Sequence, residues 1–472
     1  MTRRSSPTRT LRSAVTAIGA FAFSGVALGL ATPSDAGPPP NVLLVLVDDL
    51  GCRDLGAEGH AHHRTPALDA LRAESLRFTN ASTNGPNCAP SRAALVTGRH
   101  GIRTGVHTVG SPRRGRAEDR RIEVPDNATV IRDEERTIAE VLRDAGYRTG
   151  FVGKWHLGDD PTTQGFERNV GGHRAGHPRS YVPPYANPAL ADGPAEEYLV
   201  DRLGAETATM VASFESARDE DGRPWFVMYA PYAVHTPIQA PDDAVAEMRA
   251  RHPELGLRAA KYAVMVERTD AAIARVLAEV DPSNTLVCFA SDNGGVQPIT
   301  DMAPWRGGKG MLYEGGIRTP LWVRGPGIEP RDEPTPVQLF DLMPTIVELA
   351  DAALPDDRII DARSLTPALR GDPLDRGPLH WHFPAYLEGR DPESHDPARP
   401  FRTTPCAAVR DGRWKLIEWF EDGAVELYDL ERDPGETRNL AEREPEIAAM
   451  LQARLRGWRA SSAPSARAGE QE

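Results

Sequence analysis

A chain of 472 residues with 40% apolar and 26% charged side chains has an ordinary globular balance, which excludes a fully disordered, collagen-like or polytopic membrane protein. Acidic side chains outnumber basic ones, for a formal net charge of -13, so nucleic acid is not an expected partner. Pro and Gly, at 42 each, predict many turns and ordered loops.

The first segment reads as an address. Arg3, Arg4, Arg9 and Arg12 precede an apolar run over residues 14–30, and Ser34-Asp35-Ala36 offers a small-x-small cleavage site. This is the layout of a secretory signal peptide over residues 1–36, with a membrane anchor as the alternative. Secretion or periplasmic export is expected, with no stable membrane insertion after signal removal.

Beyond it, Asn41 to Val47 is an unbroken apolar run, expected for a strand buried on both faces of a parallel sheet. Residues 65–77 carry Leu68, Leu71 and Leu76 at helix-like spacing. Thr137-Ile138-Ala139-Glu140 has the form of a capping box, opening a helix that ends near Gly146. Residues 147–152, 226–230 and 285–290 read as strands, with a long helix over 259–280 between the last two. This alternation predicts an α/β fold, a three-layer sandwich with a mostly parallel central sheet, over residues 37–374. Residues 407–409, 414–419 and 425–428 read as short strands joined by Asp411-Gly412 and Asp422-Gly423 turns, and a helix over 446–458 follows. A smaller C-terminal antiparallel α+β subdomain is therefore expected over 375–472.

Three apolar strands end in polar residues. Val47 leads into Asp48-Asp49, Ala290 into Ser291-Asp292-Asn293-Gly294, and Ala230 into Pro231 and then His235. Ligands of open α/β sheets sit beyond the carboxyl ends of the strands. Three carboxylates and an amide oxygen are hard donors that suit Ca²⁺ or Mg²⁺, although Asp also caps loops.

The stretch Cys88-Ala89-Pro90-Ser91-Arg92, followed by Ala93-Ala94-Leu95-Val96-Thr97-Gly98-Arg99, resembles the signature of the sulfatase family. So do Asp48-Asp49-Leu50-Gly51, the run Gly146 to His156 with its Gly153-Lys154-Trp155-His156 end, His235-Thr236-Pro237, Ser291-Asp292-Asn293-Gly294, Gly308-Lys309-Gly310 and Glu314 to Pro320. The likeness runs in family order from about residue 40 to residue 440 and implies an alkaline-phosphatase-like fold. It implies that Cys88 is modified to formylglycine (3-oxoalanine) by a formylglycine-generating enzyme. The hydrated aldehyde would attack sulfur. Asp48, Asp49, Asp292, Asn293 and modified Cys88 would hold one Ca²⁺. By the same resemblance Arg92 supports the nucleophile, Lys154 and Lys309 neutralise the sulfate, and His235 or Lys309 protonates the leaving oxygen. His156 takes the proton that lets the covalent ester collapse to aldehyde and free sulfate.

The expected activity is hydrolysis of sulfate monoesters, with a sulfated small molecule or glycan as substrate and a carbohydrate sulfate preferred. The alternatives are a phosphonate or phosphodiester hydrolase of the same superfamily and a non-catalytic sulfated-glycan-binding protein. Lysine use supports a crowded anion site: only Lys154, Lys261, Lys309 and Lys415 are present, and two of them lie in motifs. Lys261 is expected on a solvated helix face and Lys415 on a strand facing water. His173 and His177, in a Gly/Pro-rich insertion over 165–194, and His382 are candidate substrate contacts. His60, His62 and His63 read as surface loop histidines. The four cysteines could form two disulfides unless Cys88 is modified, and Cys288 reads as a small buried hydrophobe.

Overall fold

Every residue of Asn41–Val47 (β1) is buried, as its apolar run demands of a strand covered on both faces. In this computed structural model, which describes residues 39–463, β1 lies inside an eight-stranded sheet. The expected signal peptide, residues 1–36, lies outside the described residues.

The other strands are Leu76–Phe78 (β2), Arg148–Gly153 (β3), Arg168–Val170 (β4), Trp225–Ala230 (β5), Thr285–Ser291 (β6), Leu321–Arg324 (β7) and Arg331–Glu333 (β8). Their spatial order is β4-β3-β5-β1-β6-β7-β2-β8. The first five run parallel, and β7 is antiparallel to both of its neighbours. The register pairs Val47 with Ser291 and Gly153 with Ala230, so several strands end level with one another.

Helices cover both faces. Pro66–Ala73 (α1), Leu199–Asp221 (α4) and Leu257–Leu277 (α6) pack on Leu43, Val45 and Val47. Cys88–Thr97 (α2), Ile138–Asp144 (α3) and Leu342–Leu349 (α7) pack on Val42, Leu44 and Leu46. Alternate residues of β1 thus feed two separate cores, which is what makes three layers. The capping box at Thr137 forms as expected, with Thr137 Oγ1 accepting from the Glu140 N–H and Glu140 reaching back to the Thr137 N–H. Asp242–Arg251 (α5) precedes α6.

Two readings of periodicity differ from the structure. Leu76 does not continue α1; it starts β2 and pairs with Val323 and Arg331. Helix α4, 23 residues long, has no counterpart in the sequence reading, because Leu199, Val200, Leu203, Val211 and Phe214 are diluted by Ala, Thr and Gly.

The C-terminal sheet is antiparallel, in the order Leu379–Phe383 (β9), Cys406–Asp411 (β10), Trp414–Trp419 (β11) and Val425–Asp429 (β12). Strand β9 contains His380 and His382 and was not expected from the sequence. One face packs on helix Pro445–Ser462 (α8) through Leu451 and Leu455. The other packs through Trp381, Phe383 and Trp419 on Met311, Leu312, Tyr313 and Ile317, just after Lys309. Both sheets belong to one compact unit that starts at Pro39.

Lys415 corrects an expectation. It does not face water but is fully buried, 2.9 Å from Glu314 Oε1 and 2.8 Å from Glu436 Oε1. Burial raises Glu436 to about 7 against the pull of Lys415, while Lys415, Arg318 and Arg410 outweigh burial and hold Glu314 low. Removing this ammonium leaves the buried Glu436 without its cation and Glu314 with only Arg318 and Arg410. Lys415→Met is therefore expected to destabilise the fold by about 3–5 kcal/mol in equilibrium urea unfolding, and an unchanged midpoint would contradict this. Lys261 lies on α6, partly exposed. Cys52, Cys88, Cys288 and Cys406 are all buried free thiols, so no disulfide forms among them.

Candidate active site

The parallel strands deliver polar groups to one mouth. Asp48 and Asp49 follow β1, Lys154 follows β3, and Asp292 and Asn293 follow β6. His235 lies five residues past β5. Cys88 is the first residue of α2, where free backbone N–H groups and the helix dipole favour negative charge. Gly153, at φ 106°, lets Lys154 turn into the site: a Cβ there would lie 2.0 Å from the Ala230 carbonyl oxygen. Asp49 and His156 hold positive φ angles of 61° and 65°, and for non-glycine residues such strain clusters at functional sites.

Charges alternate in sign. Lys154 Nζ donates to Asp48 Oδ2 at 2.6 Å, and Lys309 Nζ donates to Asp49 Oδ1 at 2.5 Å and to Cys88 Sγ at 3.1 Å. Arg92 Nε donates to Asp292 Oδ2 at 2.7 Å, and its Nη1 donates to the Lys154 carbonyl at 2.6 Å. Burial alone would raise the Cys88 thiol, but Lys154 and Lys309 bring it down to about 6. Burial opposes charge on His235, yet Asp48 and Asp49 outweigh it and hold the imidazole above the usual histidine range. Its Nδ1 lies 2.9 Å from the Thr236 carbonyl, which fixes the proton there, so Nε2 faces Asp49 at 3.5 Å. His156 is held neutral by burial and by Lys154, Arg92 and Lys309, and its Nδ1 is buried without a hydrogen-bond partner.

The oxygen donors among these residues fit a hard cation. Ligand atoms of Asp48, Asp49, Cys88 and His235 lie within 4.8 Å of one another. Asn293 Nδ2 donates to Asp49 Oδ1 at 2.8 Å, which leaves Asn293 Oδ1 as an acceptor; that atom and Asp48 Oδ1 are buried with no donor. Two orphaned buried oxygens, one on the Asp48 carboxylate and one on the Asn293 amide, are what a divalent cation would satisfy.

The family model described as Sulfatase matches residues 40–352, and the model for the C-terminal region of N-sulphoglucosamine sulphohydrolase matches residues 307–461. The chain belongs to the sulfatase family. A Formosa agariphila protein named Sulfatase is 30% identical over 90% of each chain. Human arylsulfatase A is 32% identical over 88% of this chain and 85% of its own. The crystal structure of Ps i-CgsB with a bound neocarrahexaose superposes with a TM-score of 0.74 at 25% identity, covering 90% of this chain and 94% of that one.

In this sulfatase the insertion over 165–194 reaches the site. The His156 N–H donates to the His173 carbonyl at 3.0 Å, and the His177 ring lies parallel to that of His235, with centroids 6.0 Å apart. His382 is not brought to the others. It lies against His107 and Phe420 in a cavity of about 750 Å³ that none of the site residues line. His60, His62 and His63 line another cavity, and His63 is buried rather than at the surface because its ring packs on His60 and its Nδ1 bonds the Asp54 carbonyl.

Gly176 has a role the sequence did not signal. A Cβ there would lie 2.4 Å from His156 Cε1 and 2.5 Å from its Nε2. Gly176→Ala is expected to displace the imidazole and lower turnover by about 10–100-fold, with little change in the thermal midpoint. Steady-state kinetics beside a melting curve checks this, and parent-like turnover would show that the ring has room.

Proposed function

We propose that this sulfatase hydrolyses carbohydrate sulfate monoesters in a secreted or periplasmic setting, with formylglycine at position 88 and one Ca²⁺. The observation that carries this reading is the meeting of Cys88 Sγ, Lys309 Nζ and Asp49 at 2.5–3.1 Å, beside two orphaned buried oxygens. Asp48, Asp49, Asp292, Asn293 and modified residue 88 would hold the ion. When present, the aldehyde hydrate supplies a nucleophile and the ion a Lewis acid for one sulfate oxygen.

The chain's own residues do the rest. Arg92 fixes Asp292 and the Lys154 backbone, so the walls of the site do not reorganise as charge builds up. Lys154 and Lys309 neutralise the sulfonyl oxygens, where most of the transition-state charge collects. His235 gives its Nε2 proton to the leaving oxygen, which a sugar alcohol needs because of its high pKa. His156, neutral and with Nδ1 unpartnered, accepts the proton whose removal at residue 88 frees sulfate and restores the aldehyde.

The saccharide bound to Ps i-CgsB and the sulphoglucosamine family match support a carbohydrate substrate. Two regions, 37–374 for catalysis and 375–472 as a tail, and a formylglycine-generating enzyme during maturation complete the proposal. The test is parallel assay of sulfate monoesters, phosphodiesters and phosphonates, with the mass of the Cys88 peptide measured on the same sample. Preference for sulfate together with an aldehyde at position 88 supports the reading. Preference for phosphonate, or full activity with an intact thiol, overturns it.

A further inference from the structure

A cavity of about 550 Å³ adjoins the site, lined by His173, His177, Arg179, Tyr185, Thr236 and Pro237 among others. Thr236 and Pro237 directly follow His235, and the His177 ring stacks parallel to the His235 ring. The cavity therefore opens on the side of the site where His235 stands.

Its lining contains no carboxylate. Most of its polar groups are already bonded. Tyr185 Oη lies 3.0 Å from both the Glu197 carbonyl and Glu197 Oε2, a carboxylate outside the lining that is paired with Arg202; Asn187 Nδ2 donates to the Gly171 carbonyl, and Asn187 Oδ1 accepts from the Ala189 N–H. His177 Nδ1 bonds the Pro178 carbonyl, which leaves its Nε2 free. Arg179 is exposed and has no ion-pair partner among the described residues, whereas nearby Arg174 is paired with Asp159. The cavity is thus lined by one arginine without an ion-pair partner and by two histidines.

A second cavity has the opposite character. It is reached from Lys309 through Arg402, whose Nη1 donates to the Lys309 carbonyl. There Asp54, Asp301, Asp391 and Glu393 outnumber Arg390 and Arg402. A negative group is disfavoured in that cavity and favoured in the one beside His235.

We propose that the cavity beside His235 is a subsite for a second acidic group, a carboxylate or a further sulfate, on the alcohol half of the substrate, held by Arg179 with His173 and His177. The preferred substrate is then an acidic saccharide with at least two negative charges. This rests on the reading of His235 as proton donor to the leaving oxygen, which turns the alcohol half toward this cavity. A guanidinium fork matches either oxyanion and is always charged.

The test uses matured enzyme and three probes: glucosamine 6-sulfate, glucosamine 2-N,6-O-disulfate, and a 6-sulfated disaccharide carrying a uronate. Each is measured as a competitor of nitrophenyl sulfate hydrolysis and by calorimetric titration, so no probe needs to be turned over. At least one doubly acidic probe is expected to bind about 10-fold more tightly than the singly acidic sugar, and which one does so tells sulfate from carboxylate. Arg179→Gln should erase most of that advantage and Arg179→Lys should keep part of it. Equal binding of all three probes, or an advantage untouched by Arg179→Gln, overturns the subsite. Failure to hydrolyse any sulfate ester would instead overturn the catalytic reading, while the titration would still decide the subsite.

Discussion

Cys88→Ala is expected to lower turnover by on the order of 10⁵-fold or more while leaving the fold intact. Cys88 is 2% exposed, at the first turn of a helix whose ten residues are all buried. Its sulfur touches Lys309 rather than apolar packing, so replacing it with a methyl removes little of the core. On the proposed mechanism what is lost is the atom from which the nucleophile is made, and Ser91 does not replace it: its hydroxyl is buried without a partner, a turn deeper in α2. Cys88→Ser should behave the same way unless a serine-oxidising system is present. Turnover of nitrophenyl sulfate and the thermal midpoint, measured on one preparation, decide the matter. Activity within about tenfold of the parent would mean that residue 88 is not the nucleophile.

Exhaustive chelation is expected to cost at least about 100-fold in rate, with recovery on adding Ca²⁺. Burial pushes Asp48 up to about 8 despite Lys154, because Asp292 and Cys88 add repulsion. A bound divalent cation reverses that balance and lets all the carboxylates ionise together. Binding should also raise the thermal midpoint, since the unfolded chain has no such cluster. Asp49→Asn should weaken calorimetric Ca²⁺ binding and lower the rate in parallel. A full rate from protein shown to be metal-free by elemental analysis would refute the requirement, and tight Zn²⁺ binding at Asp48, Asp49, Asp292 and Asn293 would refute the hard-cation assignment.

The parts legible in the sequence are those written locally. Asp48-Asp49 follows a run so apolar that it must be a central strand, and Asp292-Asn293 follows another, so a parallel sheet brings them level without knowledge of the loops. Cys88 to Arg92 and Gly153 to His156 are contiguous stretches. What could not be read depends on distant packing. Leu76 fits a helix by spacing and a strand by its actual partners, Val323 and Arg331, which lie about 250 residues away. Lys415 occupies a strand position that would face water if the sheet had one free face, but both faces are covered. Gly176 carries no local signal at all, since its role is set by an imidazole twenty residues earlier. His382 belongs to a strand of the tail sheet, and only that sheet's register shows where it points.

The buried Glu314–Lys415–Glu436 clasp also bears on the order in which the molecule is made. Glu314 lies five residues after Lys309, so the clasp anchors the loop that carries one of the site's cations. Its two fasteners emerge from the ribosome last: roughly 120 residues separate Glu314 from Glu436, on the order of 10 s of synthesis at ordinary rates. During that interval the loop lacks this ionic clasp and is held by bonds to earlier residues, Lys309 N–H to the Gly295 carbonyl and Gly310 N–H to the Pro86 carbonyl. The clasp is complete only once Glu436, seven residues past β12, has been made. A chain cut short before Glu436 would keep Cys88, Lys154, His235 and Lys309 but leave the buried Lys415 with one carboxylate partner in place of two.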